Sequence, residues 1–236
     1  CEHTITMFAL EHCKDKDVLL EILKQNPNVD LRNYDGSTLI FHAIRYCKDQ
    51  EVLLEILKQN PNLDRKDCYG YTVLMLAFMY CKDREFLLEI LKQKPNLDIC
   101  DSDGLTVIFY AIKYCDDREV LLEILKQKPN LNNNTNIYDM SVPLYAFINC
   151  VDKEVLLEIL KQKPDLNITH DGNSTLHFAF QYYIYCHDFD FQVLEELYDQ
   201  SYDKELFSLQ YIKLRRKYKV MPLVLFRHHK RYEINI

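Results

Sequence analysis

The stretch Leu53-Leu54-Glu55-Ile56-Leu57-Lys58-Gln59, followed by Asn60 and Pro61, decides how the chain is organised, because it recurs. The same seven residues begin at Leu19, Leu53, Leu87, Leu121 and Leu156, each time followed by one residue and a proline, at spacings of 34, 34, 34 and 35. Glu55 and Lys58 lie one helical turn apart, and Pro61 cannot continue a helix, so the string reads as a helix with a fixed stop. Other residues keep the same spacing. Cys13, Cys47, Cys81, Cys115, Cys150 and Cys186 share one register, and all four glycines (Gly36, Gly70, Gly104 and Gly172) share another. A fixed period of this length is the mark of a repeat architecture, in which each unit buries its apolar face only against its neighbours. A degenerate copy opens the chain at Thr4, and a divergent sixth begins near Asp171.

Each unit reads as two helices and a turn. The first helix starts at a hydroxyl residue, Thr4, Thr38, Thr72, Thr106, Ser141 or Ser174, whose oxygen is expected to cap orphan backbone N–H groups. It carries a fixed small residue, Ala9, Ala43, Ala77, Ala111, Ala146 or Ala179, which lets a neighbouring backbone approach. The second helix is announced by Asp15, Asp49, Asp83, Asp117, Asp152 and Asp188, a strong N-cap residue, with an acid such as Glu51 or Glu119 two residues on to suit the positive helix end.

The pattern Asp-Gly-x-Thr-x-x-x-x-Ala, a Leu-Leu helix and then Pro-Asn-Leu-Asp resembles the ankyrin repeat. The nearest copy is Gly172-Asn173-Ser174-Thr175-Leu176-His177-Phe178-Ala179. Most copies depart from the family in having Leu, Val or Ile in place of its Pro, and Cys in place of the Gly between the helices. The resemblance covers about residues 1–204. It implies an all-α ankyrin-repeat solenoid of paired antiparallel helices with β-hairpin-like turns, in repeats at about 1–33, 34–67, 68–101, 102–135, 136–170 and 171–204, closed by a C-terminal helical cap in a basic segment, 205–236. The function it implies is a non-catalytic scaffold that binds a partner protein through the concave groove and hairpin tips.

Composition narrows the alternatives. The 236 residues are 48% hydrophobic and 28% charged, with four glycines, so glycine-rich phosphate loops have almost no material. No run approaches the roughly eighteen apolar residues of a membrane span. The acids are periodic caps, the histidines are scattered and the cysteines belong to the repeat, so no nucleophile, base or metal constellation stands out, and no cofactor or small-molecule substrate is expected. Cysteines in one register of stacked helices are about 8–10 Å apart, too far for a disulfide, and read as small apolar residues in a reducing, intracellular setting. The net charge of −7 is uneven: residues 1–204 hold 21 Lys and Arg against 34 Asp and Glu, whereas 205–236 hold 8 against 2. The acidic body repels nucleic acid and anionic membrane, which leaves the tail as the only segment that could attract either.

The second helices are nearly identical between copies and read as scaffold; variation falls on the first helices and the turns. Just before the Ala the column runs Phe8, His42, Leu76, Tyr110, Tyr145, Phe178, and two residues after it Glu11, Arg45, Met79, Lys113, Ile148, Gln181. In the resemblance these columns line the groove, together with tips at Arg32, Tyr34, Lys66, Tyr69, Ser102, Tyr138 and His170. The competing expectation for each aromatic is packing on the next repeat. The fifth turn, Asn132 to Asp139, lacks Gly and has one extra residue, either drift or a reshaped finger at the partner site. In the tail, Phe207, Tyr211, Leu214 and Tyr218 share one helical face beside Lys213, Arg215, Arg216, Lys217 and Lys219, and Arg227, Lys230 and Arg231 follow Pro222. This segment reads as a cap, with docking to an acidic partner, nucleic acid or anionic membrane as the alternatives. An interaction module attached to a catalytic domain beyond this chain is a further one. A monomer is expected. Near-identical copies and a composition rich in Lys, Asn, Ile and Tyr suit ankyrin effectors of intracellular pathogens, whose partner would be a host protein.

Overall fold

The computed structural model describes residues 4–132, 140–149, 152–166, 169–170, 173–175 and 192–200. The chain divides into two compact units, Cys1–Asp139 and Met140–Ile236. In the first, helices come in pairs: α1 (Ile5–His12) with α2 (Lys16–Lys24), α3 (Leu39–His42) with α4 (Gln50–Lys58), α5 (Val73–Leu76) with α6 (Arg84–Lys92), and α7 (Val107–Tyr114) with α8 (Arg118–Lys126). Helices α3 and α5 run on into π turns, Ala43–Cys47 and Ala77–Cys81. In the second unit α9 (Val142–Asn149) and α10 (Lys153–Lys161) form a pair, β1 (Thr169–His170) pairs antiparallel with β2 (Asn173–Ser174), and α11 (Gln192–Gln200) packs on α10.

The second helices begin as their sequences dictate. Asp15, Asp49, Asp83, Asp117 and Asp152 each accept one or two first-turn N–H bonds, among them Phe86 N to Asp83 Oδ1 at 2.8 Å. The first helices differ from expectation. Thr4 Oγ1 accepts from Met7 N at 3.1 Å, but the hydroxyls of Thr38, Thr106 and Ser141 are buried without a hydrogen-bond partner. These starts are buried, and at Thr38 a loop carbonyl takes the first helical donor, Leu39 N–H to Val29 O at 3.3 Å. The Thr methyl fills the core, and the hydroxyl cap is lost.

Burial follows the repeat. Leu53, Ile56 and Leu57 are buried, as are Leu87, Ile90 and Leu91 and then Leu121, Ile124 and Leu125. Each such side chain contributes roughly 1.5–3 kcal/mol, and only stacking supplies the cover. Where no preceding pair is described, the same columns lie open: Ile5 is 87% exposed, whereas its counterpart Leu39 is 2% exposed.

Hydrogen bonds run along the stack at the same period. Gln59 Nε2 donates to Leu23 O at 3.1 Å, Gln93 Nε2 to Leu57 O at 3.1 Å, and Gln127 Nε2 to Leu91 O at 2.9 Å. Each donor adds a second bond to a carbonyl at the end of the preceding helix, which already accepts the N–H of Asn26, Asn60 or Lys94. Beside them, Asp30 Oδ1 accepts from Asn62 N at 2.9 Å, Asp64 Oδ1 from Asn96 N at 2.7 Å and Asp98 Oδ1 from Asn130 N at 2.7 Å.

Past each second helix the chain reverses through a left-handed residue. Asn26, Asn60, Lys94, Lys128 and Lys163 have φ between 51° and 55°. A side chain in this region is costly, less so for Asn than for Lys. Lys94→Gly or Lys128→Gly is therefore expected to stabilise the chain by about 0.5–1 kcal/mol, and Asn60→Gly by less. Urea unfolding followed by circular dichroism measures both.

Candidate functional site

The hairpin turns and the exposed side of the first helices form the surface on which the variable residues converge. Each turn is organised by one buried polar side chain: Asn33, Asp67 or Asp101. Its Oδ1 accepts two backbone N–H groups, those of Asp35 and Ser37, of Tyr69 and Tyr71, or of Asp103 and Leu105, at 2.8–3.0 Å. In the middle turn Gly70 (φ 83°) presses on the next repeat so closely that a Cβ there would lie 2.7 Å from Ser102 N. Cys68 N–H donates to Asp35 O at 2.8 Å and Ser102 N–H to Tyr69 O at 3.1 Å, so successive tips are tied together.

The second polar atom of each turn residue needs a partner too, since a buried polar group left unpaired costs about 1–3 kcal/mol. Three repeats solve this in three ways. Asn33 Nδ2 donates to His42 Nε2 at 3.1 Å, which leaves the ring proton on Nδ1, facing Glu11 Oε1 of the preceding repeat at 3.4 Å. Asp67 Oδ2 accepts from Arg45 of the preceding repeat at 2.6 Å. Asp101 Oδ2 accepts from the Tyr110 hydroxyl, and the Tyr110 ring meets Tyr71 edge-on with centroids 5.9 Å apart. Burial and the hydrogen bond to Asp101 push the Tyr110 phenol far up, and burial raises Tyr71 as well.

Several residues expected in the groove therefore lie inside. His42, Leu76 and Tyr110 are buried, because the column just before the Ala faces the turn and the adjacent repeat. Arg45 and Met79 are half-buried and Lys113 is exposed, its Nζ 5.0 Å from the Tyr114 ring centroid. The tips stand out: Tyr34 is 73% and Tyr69 63% exposed, and Asp35 beside Tyr34 raises its phenol. In the second unit Tyr145 is half-buried and Ile148 exposed. Tyr138, Phe178, Gln181, the fifth turn beyond Asn132 and the basic tail (Lys213, Arg215, Arg216, Lys217, Arg227, Lys230, Arg231) fall outside the described residues.

A different column carries exposed aromatics that the sequence reading passed over. Three residues after the Ala stand His12, Tyr46, Tyr80 and Tyr114, with Tyr46 49% and Tyr80 48% exposed. Three tyrosines at one register were visible in the sequence, but only the helix end shows which side they take. Next to them, between the third and fourth helix pairs, lies a cavity of about 230 Å³ lined by Phe78, Leu87 and Tyr114 with Lys82, Arg84 and Asp117.

Two comparisons bear on this architecture. Residues 6–103 match the family model for ankyrin repeats in three copies. This segment is a run of ankyrin repeats. The pair α7–α8 continues it with the same capping Asp and the same Gln bond. Ankyrin repeats are in general protein-binding modules. A chain of a solved structure described as a predatory endopeptidase from Bdellovibrio bacteriovorus in complex with an immunity protein is 17% identical, with TM-score 0.61 over 85% of this chain and 100% of that one. An ankyrin repeat domain from Acinetobacter baumannii AYE is 20% identical, with TM-score 0.58 over 75% of this chain and 90% of that one. At these identities the likeness is one of fold. No curated protein matches the sequence.

The described cysteines Cys13, Cys47, Cys68, Cys81, Cys100 and Cys115 are free thiols. Burial pushes the thiols of Cys47, Cys81 and Cys115 up, whereas Cys68 is exposed on a tip. At pH 8 a thiol reagent is expected to modify Cys68 about tenfold faster than those three, as peptide mapping of a time course would show.

The ankyrin turns also set a stability order. Asp67→Ala removes both backbone bonds and the Arg45 partner and is expected to cost about 2–3 kcal/mol. Asp67→Asn keeps the turn and loses only the ion pair, for about 1 kcal/mol. Thermal unfolding of the two variants tests this order.

Proposed function

We propose that this chain is a non-catalytic scaffold that binds a partner protein on the hairpin tips and the exposed side of its first helices. The observation that carries this reading is the double row of solvent-facing tyrosines, Tyr34 and Tyr69 on the tips and Tyr46 and Tyr80 on the helix ends. Tyr supplies a large rigid contact area with a polar end, and interfaces are enriched in it. The exposed or half-buried candidates Arg45, Met79, Lys113, Tyr145 and Ile148 belong to the same columns, while His42, Leu76 and Tyr110 support the surface from beneath. The repeat domain extends over residues 1–204 in six units, and 205–236 is its basic cap. Free thiols at one register support a reducing, intracellular setting, and the chain acts as a monomer. The near-identity of the copies and the composition support a pathogen effector with a host protein as target.

The test is affinity capture from eukaryotic cytosolic lysate, comparing the intact chain with a Tyr34→Ser, Tyr69→Ser, Tyr46→Ser, Tyr80→Ser variant of equal helical circular dichroism. A partner retained by the intact chain and reduced at least about tenfold by the variant is the expected result. Retention by both, with loss on Arg215→Glu, Arg216→Glu, would move the function to the tail.

A further inference from the structure

The first ankyrin unit is rich in ion pairs, and Lys16, Lys24, Lys58, Lys92 and Lys126 each have a carboxylate at hand. Lys16 pairs with Glu51 at 2.6 Å, Lys58 with Glu55 at 3.0 Å and Lys92 with Glu89 at 2.6 Å. Lys14, Lys48 and Lys82 have none, and in this they resemble Lys94 and Lys128 at the far ends of the second helices. The first three occupy one register, directly after the repeat cysteine, and form no ion pair or side-chain hydrogen bond among the described residues. The neighbouring acids Asp15, Asp49 and Asp83 are committed to helix N-termini. Lys48 and Lys82 also hold left-handed backbone, with φ of 57° and 55°, where glycine would sit without strain. Each charge reaches the next repeat: Lys14 offsets part of the burial effect at Cys47, Lys48 at Cys81 and Lys82 at Cys115.

These cations form a row beside the exposed rings of Tyr46 and Tyr80, and Lys82 also lines the 230 Å³ cavity with Phe78, Leu87 and Tyr114. In the fourth repeat the row ends with a change of sign, at Asp116. The cavity is below the roughly 300–1,000 Å³ of small-molecule sites and is suited to one side chain.

We infer that the Lys14–Lys48–Lys82 edge, with its tyrosines and terminal cavity, takes an extended acidic segment of a partner protein. The inference rests on the protein-binding reading above and supplies the chemistry of the partner. Stacked helices are about 8–10 Å apart, and an extended chain in the polyproline II conformation advances about 3.1 Å per residue with about three residues per turn, so the matching carboxylates recur every third residue on one side. Residues between them pack on the tyrosine rings, and an apolar side chain just beyond the last acid enters the cavity. A peptide is favoured over nucleic acid because the row holds only three cations on a body with 21 basic against 34 acidic residues, which repels a polyanion.

The test uses the full chain and fluorescence anisotropy of two synthetic peptides of equal composition. In one, three Glu recur every third residue with Val and Thr between them and a Leu after the last. In the other the three Glu are adjacent. The spaced peptide is expected to bind at least about fivefold more tightly, with an affinity that falls as salt rises. Lys48→Gly, Lys82→Gly should weaken it about fivefold while leaving the fold equally or more stable, since glycine relieves the left-handed backbone. Lys48→Arg, Lys82→Arg should restore binding. A loss of binding with gained stability cannot come from a damaged fold.

Equal affinity for the two peptides, or no response to the glycine variant, would overturn the inference, as would tighter binding of a single-stranded oligonucleotide than of the spaced peptide. If the partner captured through the tyrosines is retained by the glycine variant, the scaffold reading stands and this edge is not its acidic-segment site.

Discussion

The first three helix pairs of the first unit end with backbone groups that also bond to the pair that follows. Leu23 O, Leu57 O and Leu91 O lie at helix ends, and each is reached by the Gln side chain of the following pair. The same dependence holds for backbone donors, since Asn62, Asn96 and Asn130 give their N–H groups to Asp30, Asp64 and Asp98 of the pair before. Apolar burial supplies most of the stabilising free energy of a stack but is indifferent to small slides between layers. Directional bonds at fixed offsets are not. They hold successive pairs in one register, so residues far apart in sequence stand in rows. Every row on the surface, tyrosine or lysine, is a consequence of that registration.

Register also explains why variable positions are not all binding positions. The Asx residue of each turn must place its second polar atom, and His42, Arg45 and Tyr110 are three answers drawn from two neighbouring columns. An imidazole, a guanidinium from the preceding repeat and a phenol have little in common as interface anchors. They have much in common as partners for an amide or carboxylate about 9–22 residues away in sequence. Once one repeat takes its partner from the column before the Ala, the column after it is relieved of that duty, and the reverse. Leu76 can be apolar because Arg45 already reaches Asp67. The variation is compensation within the fold as much as specificity for a partner.

The repeat, its helix order and the Asp caps could be read directly, because they depend on local chemistry that recurs at the period: a carboxylate ahead of a helix, a proline after it, a glycine with φ of 75–83° in the turn. The threonine caps failed because Thr38 and Thr106 lie inside the stack, and the fate of a buried hydroxyl is set by its neighbours rather than by its place in the chain. The groove was only partly legible for a similar reason. A column can be listed from sequence, but its facing depends on how the helix ends. In the second and third repeats the first helix widens into a π turn, with Lys48 N bonded to Ala43 O and Lys82 N to Ala77 O. In the fourth it closes as an ordinary α-turn, Cys115 N to Ala111 O. The local sequences, Ala-Ile-Arg-Tyr-Cys-Lys and Ala-Ile-Lys-Tyr-Cys-Asp, barely announce the difference.

That difference has an electrostatic side. A π turn followed by a left-handed residue brings the chain out with Lys48 or Lys82 at the edge, whereas the extended Cys115 (φ −107°) leads to Asp116. Between the third and fourth repeats charge and backbone conformation thus change together, whereas in the first repeat Lys14 follows an ordinary α-turn, Cys13 N to Ala9 O. A lysine in left-handed backbone costs more than a glycine would, and nothing within the described fold pairs with its ammonium. Lys16 and Lys92 show what intramolecular use looks like, held as cations by bonds to Glu51 and Glu89. Lys94 and Lys128 share the left-handed backbone and, among the described residues, the unpaired ammonium at the other end of their helices, so what sets the Lys48 and Lys82 edge apart is the company it keeps, the exposed Tyr46 and Tyr80 rings and the cavity that Lys82 lines.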